Sequence, residues 1–144
     1  MNVEGNNIAS TSSTDTQIFK HIWQLDVPGK IKHFIPKASH NRLATMDNLL
    51  KRYVQVPDIS QFCEDMSETI MHVFHECKYV KEVNRLLNIK DFTLRVWDFR
   101  DLVKEKWKRL SPDKFCIWVL CMWDIWHQRI LKSEKNLSDL HQKW

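Results

Sequence analysis

Two glycines and four prolines in 144 residues leave this chain little material for tight turns. Short hairpins draw on Gly at positions of positive φ, so a helical fold is expected. The apolar residues recur at helical spacing. Ile18, Ile22 and Leu25 lie along one stripe, with Phe19 and Trp23 beside them. Pro28 suits the first turn of a second helix, where no amide donor is needed. Val27, Ile31, Phe34, Ile35 and Ala38 form the buried face of that helix. Pro36 within it removes a backbone hydrogen bond at a cost of about 3 kcal/mol, which predicts a kink or a stop near Ile35.

Further along, Thr45 is placed to cap a helix "MDNLLKRY" whose Leu49 and Leu50 face inward. "VQVPDIS" reads as a loop. Ser67 is placed to cap a helix beginning "ETIMHVFHE", and "KYVKEVNRLL" continues or restarts it. Beyond a linker around Asn88 to Thr93, Val96, Phe99, Leu102, Val103 and Trp107 mark another amphipathic helix. Ser111 and Pro112 start the last one, with Phe115, Trp118, Val119, Met122, Trp126 and Ile130 on one broad face. The fold class is all-α, with about six helices.

The length suits one modest domain with a real core. The polar stretch 1–16 is expected to be a disordered tail, 17–90 a small helical domain, and 91–144 a helical extension packed on it. The tail has no apolar run of the secretory kind. Phe115 to Trp126 is the most hydrophobic stretch; it is too short to span a bilayer and is interrupted by Asp124, so no membrane partner is expected. Four cysteines then point to an intracellular chain with reduced thiols, cytoplasm and nucleus being equally open. The net charge of +4 permits an acidic partner without requiring one.

The segment "SQFCEDMSETIMHVFHEC", Ser60 to Cys77, gathers two cysteines and two histidines. Zinc takes four ligands in a tetrahedron, most often thiolate and imidazole. Cys63 on a loop, His72 on a helix and Cys77 at its end can converge on one ion. His75, one helical turn from His72, is a possible fourth ligand. Ser60 stands where a C-x2-C pair would have its first cysteine, but a hydroxyl is not deprotonated near neutral pH and binds zinc poorly. The competing reading is an ordinary helix with buried thiols. Cys116 and Cys121, in the most apolar helix, are expected to be core filler.

"IFKHIWQLDVPGKIKHFIPKASHNRLATMDNLLKR", followed by "CEDMSETIMHVFHECKYVKEV", resembles the reverse transcriptase zinc-binding domain of plant proteins derived from non-LTR, LINE-type retrotransposons. Trp23, Pro28, Lys30, His33, Phe34, Asn41, Arg42, Leu43, Thr45, Asn48 and Leu49 fit its pattern, and Cys63, His72 and Cys77 match three of its four ligand positions. "CIWVLCMWDIWHQR" is similar to the helix that often follows, before a ribonuclease H domain. The departures are Ser60 for the first cysteine, Pro36 for a usual Trp, Ala44 for a usual Pro and Asn84 for a common Trp. The resemblance thus implies an all-α domain with a weakened zinc site, acting beside a reverse transcriptase or ribonuclease H domain.

Three function classes follow. An enzyme is least expected: ribonuclease H chemistry needs clustered carboxylates holding metal ions, "ILKSEKNLSDLHQKW" after Arg129 is too short for that domain, and no motif places a general base beside the three ligands. A nucleic-acid-binding adjunct would use Lys30, Lys32, Lys37, Arg42, Lys51 and Arg52 on RNA or DNA phosphates, unless these are simply solvated helix faces. An interaction module or inert remnant would follow if Trp107, Trp118, Trp123 and Trp126 exceeded what the core can cover.

Overall fold

A computed structural model describes residues 16–60, 62–64, 66–90 and 96–142, with side chains described as far as Lys135. The described residues contain helices and no strand. After α1 (residues 16–23) come α2 (Gly29–Ser39), α3 (Met46–Lys51), a π-helical turn (His72–Glu76), α4 (Lys78–Leu86), α5 (Phe99–Arg109) and the long α6 (Pro112–Gln142). The tail expected over 1–16 lies, apart from Thr16, outside the described residues, as does the part of the Asn88 to Thr93 linker from residue 91 on.

One apolar core draws on every helix but the short α3, from Ile18 in α1 to Trp126 in α6. Its centre is aromatic. Phe34 of α2 meets Phe74 of the π turn at 5.5 Å, Phe99 of α5 at 6.3 Å and Trp123 of α6 at 5.6 Å, ring centre to ring centre. Phe74 also meets Phe99 at 5.1 Å. Each such pair contributes about 0.5–1.5 kcal/mol beyond the area it buries. Because Phe74 belongs to the π turn, the core holds that turn in place. Trp118 and Trp126 are buried, and Trp107 and Trp123 are part-buried, so the aromatic face of α6 is spent inside the molecule. Trp23 and Trp97 are the exposed ones among the described residues.

Several expectations are corrected. α2 does not stop near Ile35 but runs through Pro36 to Ser39. Ile31, Phe34, Ile35 and Ala38, on both sides of the proline, are buried together, and their burial outweighs one lost hydrogen bond. Leu50 is exposed, while Met46 and Asn48 are the buried residues of α3. Val96 precedes α5, which starts after Asp98, whose carboxylate accepts from the Asp101 amide (2.9 Å). Cys121 packs against the core, whereas Cys116 is part-exposed and stands outside it.

The caps also differ. Thr45 precedes α3, but its hydroxyl bonds to Asp47 and not to a helix amide. The start of α3 is satisfied by Glu68: its Oε1 accepts from the Met46 amide (3.0 Å), and its carbonyl accepts from the Asp47 amide (3.2 Å). Ser67 donates to Asp58 (2.8 Å), and Thr69 is the capping residue, accepting from the His72 amide (3.0 Å). Ser111 caps α6 as expected, accepting from the Lys114 amide (3.3 Å).

Glu68 is fully buried and is bonded by the Arg129 guanidinium, itself 3 % exposed, which lies over the Trp126 ring at 5.0 Å. One carboxylate therefore joins α3, the approach to the π turn and α6. Removing one partner of a buried pair strands a charge, at about 3–5 kcal/mol. Arg129→Met is expected to lower the unfolding free energy by that amount in urea titrations. Glu68→Gln combined with Arg129→Met should recover part of the loss.

Candidate metal centre

Cys63 sits in a tight turn. The Ser60 amide donates to the Met66 carbonyl (2.8 Å), and the Glu64 amide donates to the Ser60 carbonyl (3.1 Å). Phe62 anchors this turn from both sides: its ring stacks on Tyr79 of α4 at 4.8 Å, and the Lys132 ammonium of α6 lies 5.9 Å from it. Buried Ser60 accepts from the Phe62 amide (3.3 Å) through Oγ, so its side chain turns back into the loop.

His72 and Cys77 are brought together by the π turn. In a regular α-helix residues five apart point about 140° away from each other. Here the Cys77 amide donates to the His72 carbonyl (2.9 Å), an i to i+5 bond, so five residues make roughly one turn and the two side chains return to one side. The chain then straightens at Cys77 (φ −62°, ψ 136°), which ends the π turn and starts α4.

The outcome is a convergent set. One ligand atom each of Cys63, His72 and Cys77 lies within 4.8 Å of the others, and Cys63 Sγ stands 3.2 Å from His72 Nε2. A zinc tetrahedron with bonds of 2.0–2.3 Å has edges of roughly 3.3–3.8 Å, so a small inward movement of the sulfurs accommodates the ion. His72 and Cys77 are buried and Cys63 is part-buried. Two sulfurs and one imidazole nitrogen in a sheltered spot suit zinc over harder cations. Burial, first, and the neighbouring Cys63, second, push the Cys77 thiol above its ordinary value. The Tyr79 and Val80 amides at the start of α4 act the other way, without completing a capping bond. His72 Nδ1 is buried with no partner among the described residues, so the ring's polar contact is the one from Nε2 to Cys63 Sγ.

His75 is not in the convergent group. The π turn that aligns His72 with Cys77 advances less per residue than an α turn, so residues three apart no longer share a face. Of the six basic residues read from the sequence, Lys30 lies 5.7 Å from the Trp123 ring, Lys32 donates to the Trp23 carbonyl (2.9 Å) and Lys51 pairs with Asp47 (3.8 Å). Lys37, Arg42 and Arg52 are exposed.

Residues 6–83 match the family described as zinc-binding in reverse transcriptase. The chain belongs to that family. No curated protein and no solved structure matches it. The matched domain is an accessory zinc-binding one and not a catalytic one. Several family positions now have a structural reason. Asn41 holds the left-handed conformation that ends α2 (φ 55°), which Asn tolerates better than most residues. The Asn48 amide donates to the Asn41 Oδ1 (2.9 Å) and the Leu43 carbonyl (2.8 Å), fixing the loop between α2 and α3. Glu68 and Thr69 secure the segment that carries His72.

The sequence reading missed Glu68, Thr69, Phe62 and Arg129 as supports of the site. A signal existed for one of them: Arg129 interrupts the apolar stripe of α6. It also lies outside the matched segment.

The donor set yields two expectations. Ser60→Cys should tighten zinc binding by about tenfold or more in a chelator competition, because it adds a third thiolate as the fourth ligand. Zinc must displace the Cys77 proton, which is held more firmly than usual. Affinity in the same assay is therefore expected to fall as pH is lowered from about 8 to 6.

Proposed function

We propose that this chain is a non-enzymatic, zinc-stabilised helical adjunct of LINE-type retrotransposon origin, acting inside the cell beside a polymerase or nuclease domain. The observation that carries the reading is the convergence of Cys63, His72 and Cys77 in a chain of the zinc-binding family. Zinc supplies a cross-link between the Cys63 turn, the π turn and the start of α4. Cys63 fastens the turn, His72 supplies the nitrogen from the core side, and Cys77 fixes the break between the two helical segments. Bound zinc would have three protein ligands, with Ser60 in place of a third cysteine, so its affinity would lie below that of a four-ligand site.

A structural role for the metal is supported by the burial of His72 and Cys77. The helices pack around the Cys63, His72 and Cys77 cluster, and the aromatic core lies directly behind Phe74. No helix of the described residues is long and apolar enough to cross a membrane. An adjunct role on RNA or DNA is supported by the net charge of +4.

Purified protein is expected to bind about one equivalent of zinc. At a free concentration about one hundred times the dissociation constant, zinc should add about 2.7 kcal/mol to stability, a shift of several degrees in melting temperature. Cys77→Ser should remove that shift, and an equal shift in the variant would sink the reading.

A further inference from the structure

Two open depressions adjoin at the junction of α4, α5 and α6, away from the cysteines. The first, of about 270 Å³, is lined by Lys81, Asn84, Arg85, Asn88, Ile89 and Lys90. The second, of about 450 Å³, shares Asn88 and Lys90 and adds Arg109, Leu110, Ser111 and Lys114. Five cationic side chains thus line one continuous groove, and no carboxylate lines either part. Glu82 and Glu105 hold Arg85 (2.5 Å) and Arg109 (2.9 Å) along their own helices. Lys114 donates to the Asn88 carbonyl (3.1 Å), which fastens the turn after α4 to the start of α6 and gives the groove a fixed floor.

A second observation is independent of charge. Asn84 is 5 % exposed, and its Oδ1 is buried with no hydrogen-bond partner among the described residues. A buried acceptor left unpaired costs about 1–3 kcal/mol, so a ligand that donates to it gains by doing so. The ligand that fits must be anionic at more than one point, carry a hydrogen-bond donor and present an apolar surface to the part-buried Leu110. A nucleic-acid strand has all three, in its phosphates, the amino and imino groups of its bases, and the base faces.

We infer that this groove binds single-stranded nucleic acid, with Lys81, Lys90 and Lys114 on phosphates and Asn84 on a base edge. The inference takes its partner class from the function proposed above, but none of the residues lining the groove is a candidate zinc ligand. Zinc uptake and strand binding can therefore fail separately. With no aromatic side chain lining the groove, affinity rests on phosphate contacts and tolerates many sequences.

The test is fluorescence anisotropy on the full chain with short single-stranded RNA and DNA oligonucleotides of mixed sequence. Binding should weaken with salt at a slope of roughly −2 to −3.5, the value for three to five phosphate contacts on a single strand. Lys81→Gln, Lys90→Gln and Lys114→Gln together should lower affinity at least about tenfold and flatten the slope by about 2. The same charge loss at Lys37, Arg42 and Arg52 should change it less than about threefold. Circular dichroism melting checks that both variants fold. Asn84→Ala should lose the preference of the wild-type chain for an intact strand over an abasic one. Equal losses in the two triple variants, salt-insensitive binding, or no strand binding at all would overturn the inference. So would equally tight, groove-dependent binding to poly-glutamate or to anionic phospholipid vesicles.

Discussion

Glu68 is the residue on which the arrangement turns. A carboxylate with no solvent exposure is costly unless its charge is answered, and here two elements answer it. The start of α3 gives it an amide, α6 gives it a guanidinium, and the chain it belongs to runs directly into the turn bearing His72. The register between α3, α6 and the metal-binding segment is thereby fixed by polar geometry, while the aromatic core around Phe34 and Phe74 supplies the bulk of the cohesion. Apolar packing tolerates small slips; a buried ion pair with a helix cap does not.

The candidate metal centre depends on a local irregularity. A histidine and a cysteine five residues apart cannot face one ion from an unbroken α-helix, and the π turn removes that conflict. The irregularity is stabilised from both ends, by the Thr69 cap before it and by the extended backbone of Cys77 after it. Ser60 retains the turn of a metal-binding loop, with its Oγ accepting from the Phe62 amide. Loop geometry and ligand chemistry have thus separated: the fold of the site persists at a position where the donor atom is the weaker one.

Much of the fold was legible in the sequence. The stripes of α1, α2, α5 and α6 are periodic, and their buried residues are largely those that the spacing names. Cys63, His72 and Cys77 stood out by type and order, and the structure brings them together. Pro36 and Leu50 were misleading because the rules applied to them are local. A proline penalty is small beside the burial of four neighbouring side chains, and the inward face of a six-residue helix is decided by its partners. The caps were misread for the same reason: Ser and Thr favour capping, but Glu68 from another segment took the first amides of α3, one through its carboxylate and one through its carbonyl.

By itself the sequence determined the helical class, the apolar stripes and the set of candidate ligands, since periodicity and residue type act over a few neighbouring positions. Only the tertiary structure decided that α2 passes through Pro36, that His72 aligns with Cys77 and not with His75, and that Arg129 answers Glu68. It also decided that Lys81, Lys90 and Lys114 share one groove. Each of these depends on which surfaces meet after the chain closes on itself, and the energy of such a meeting is a property of the pair and of its distance from water, which no single stretch of sequence carries.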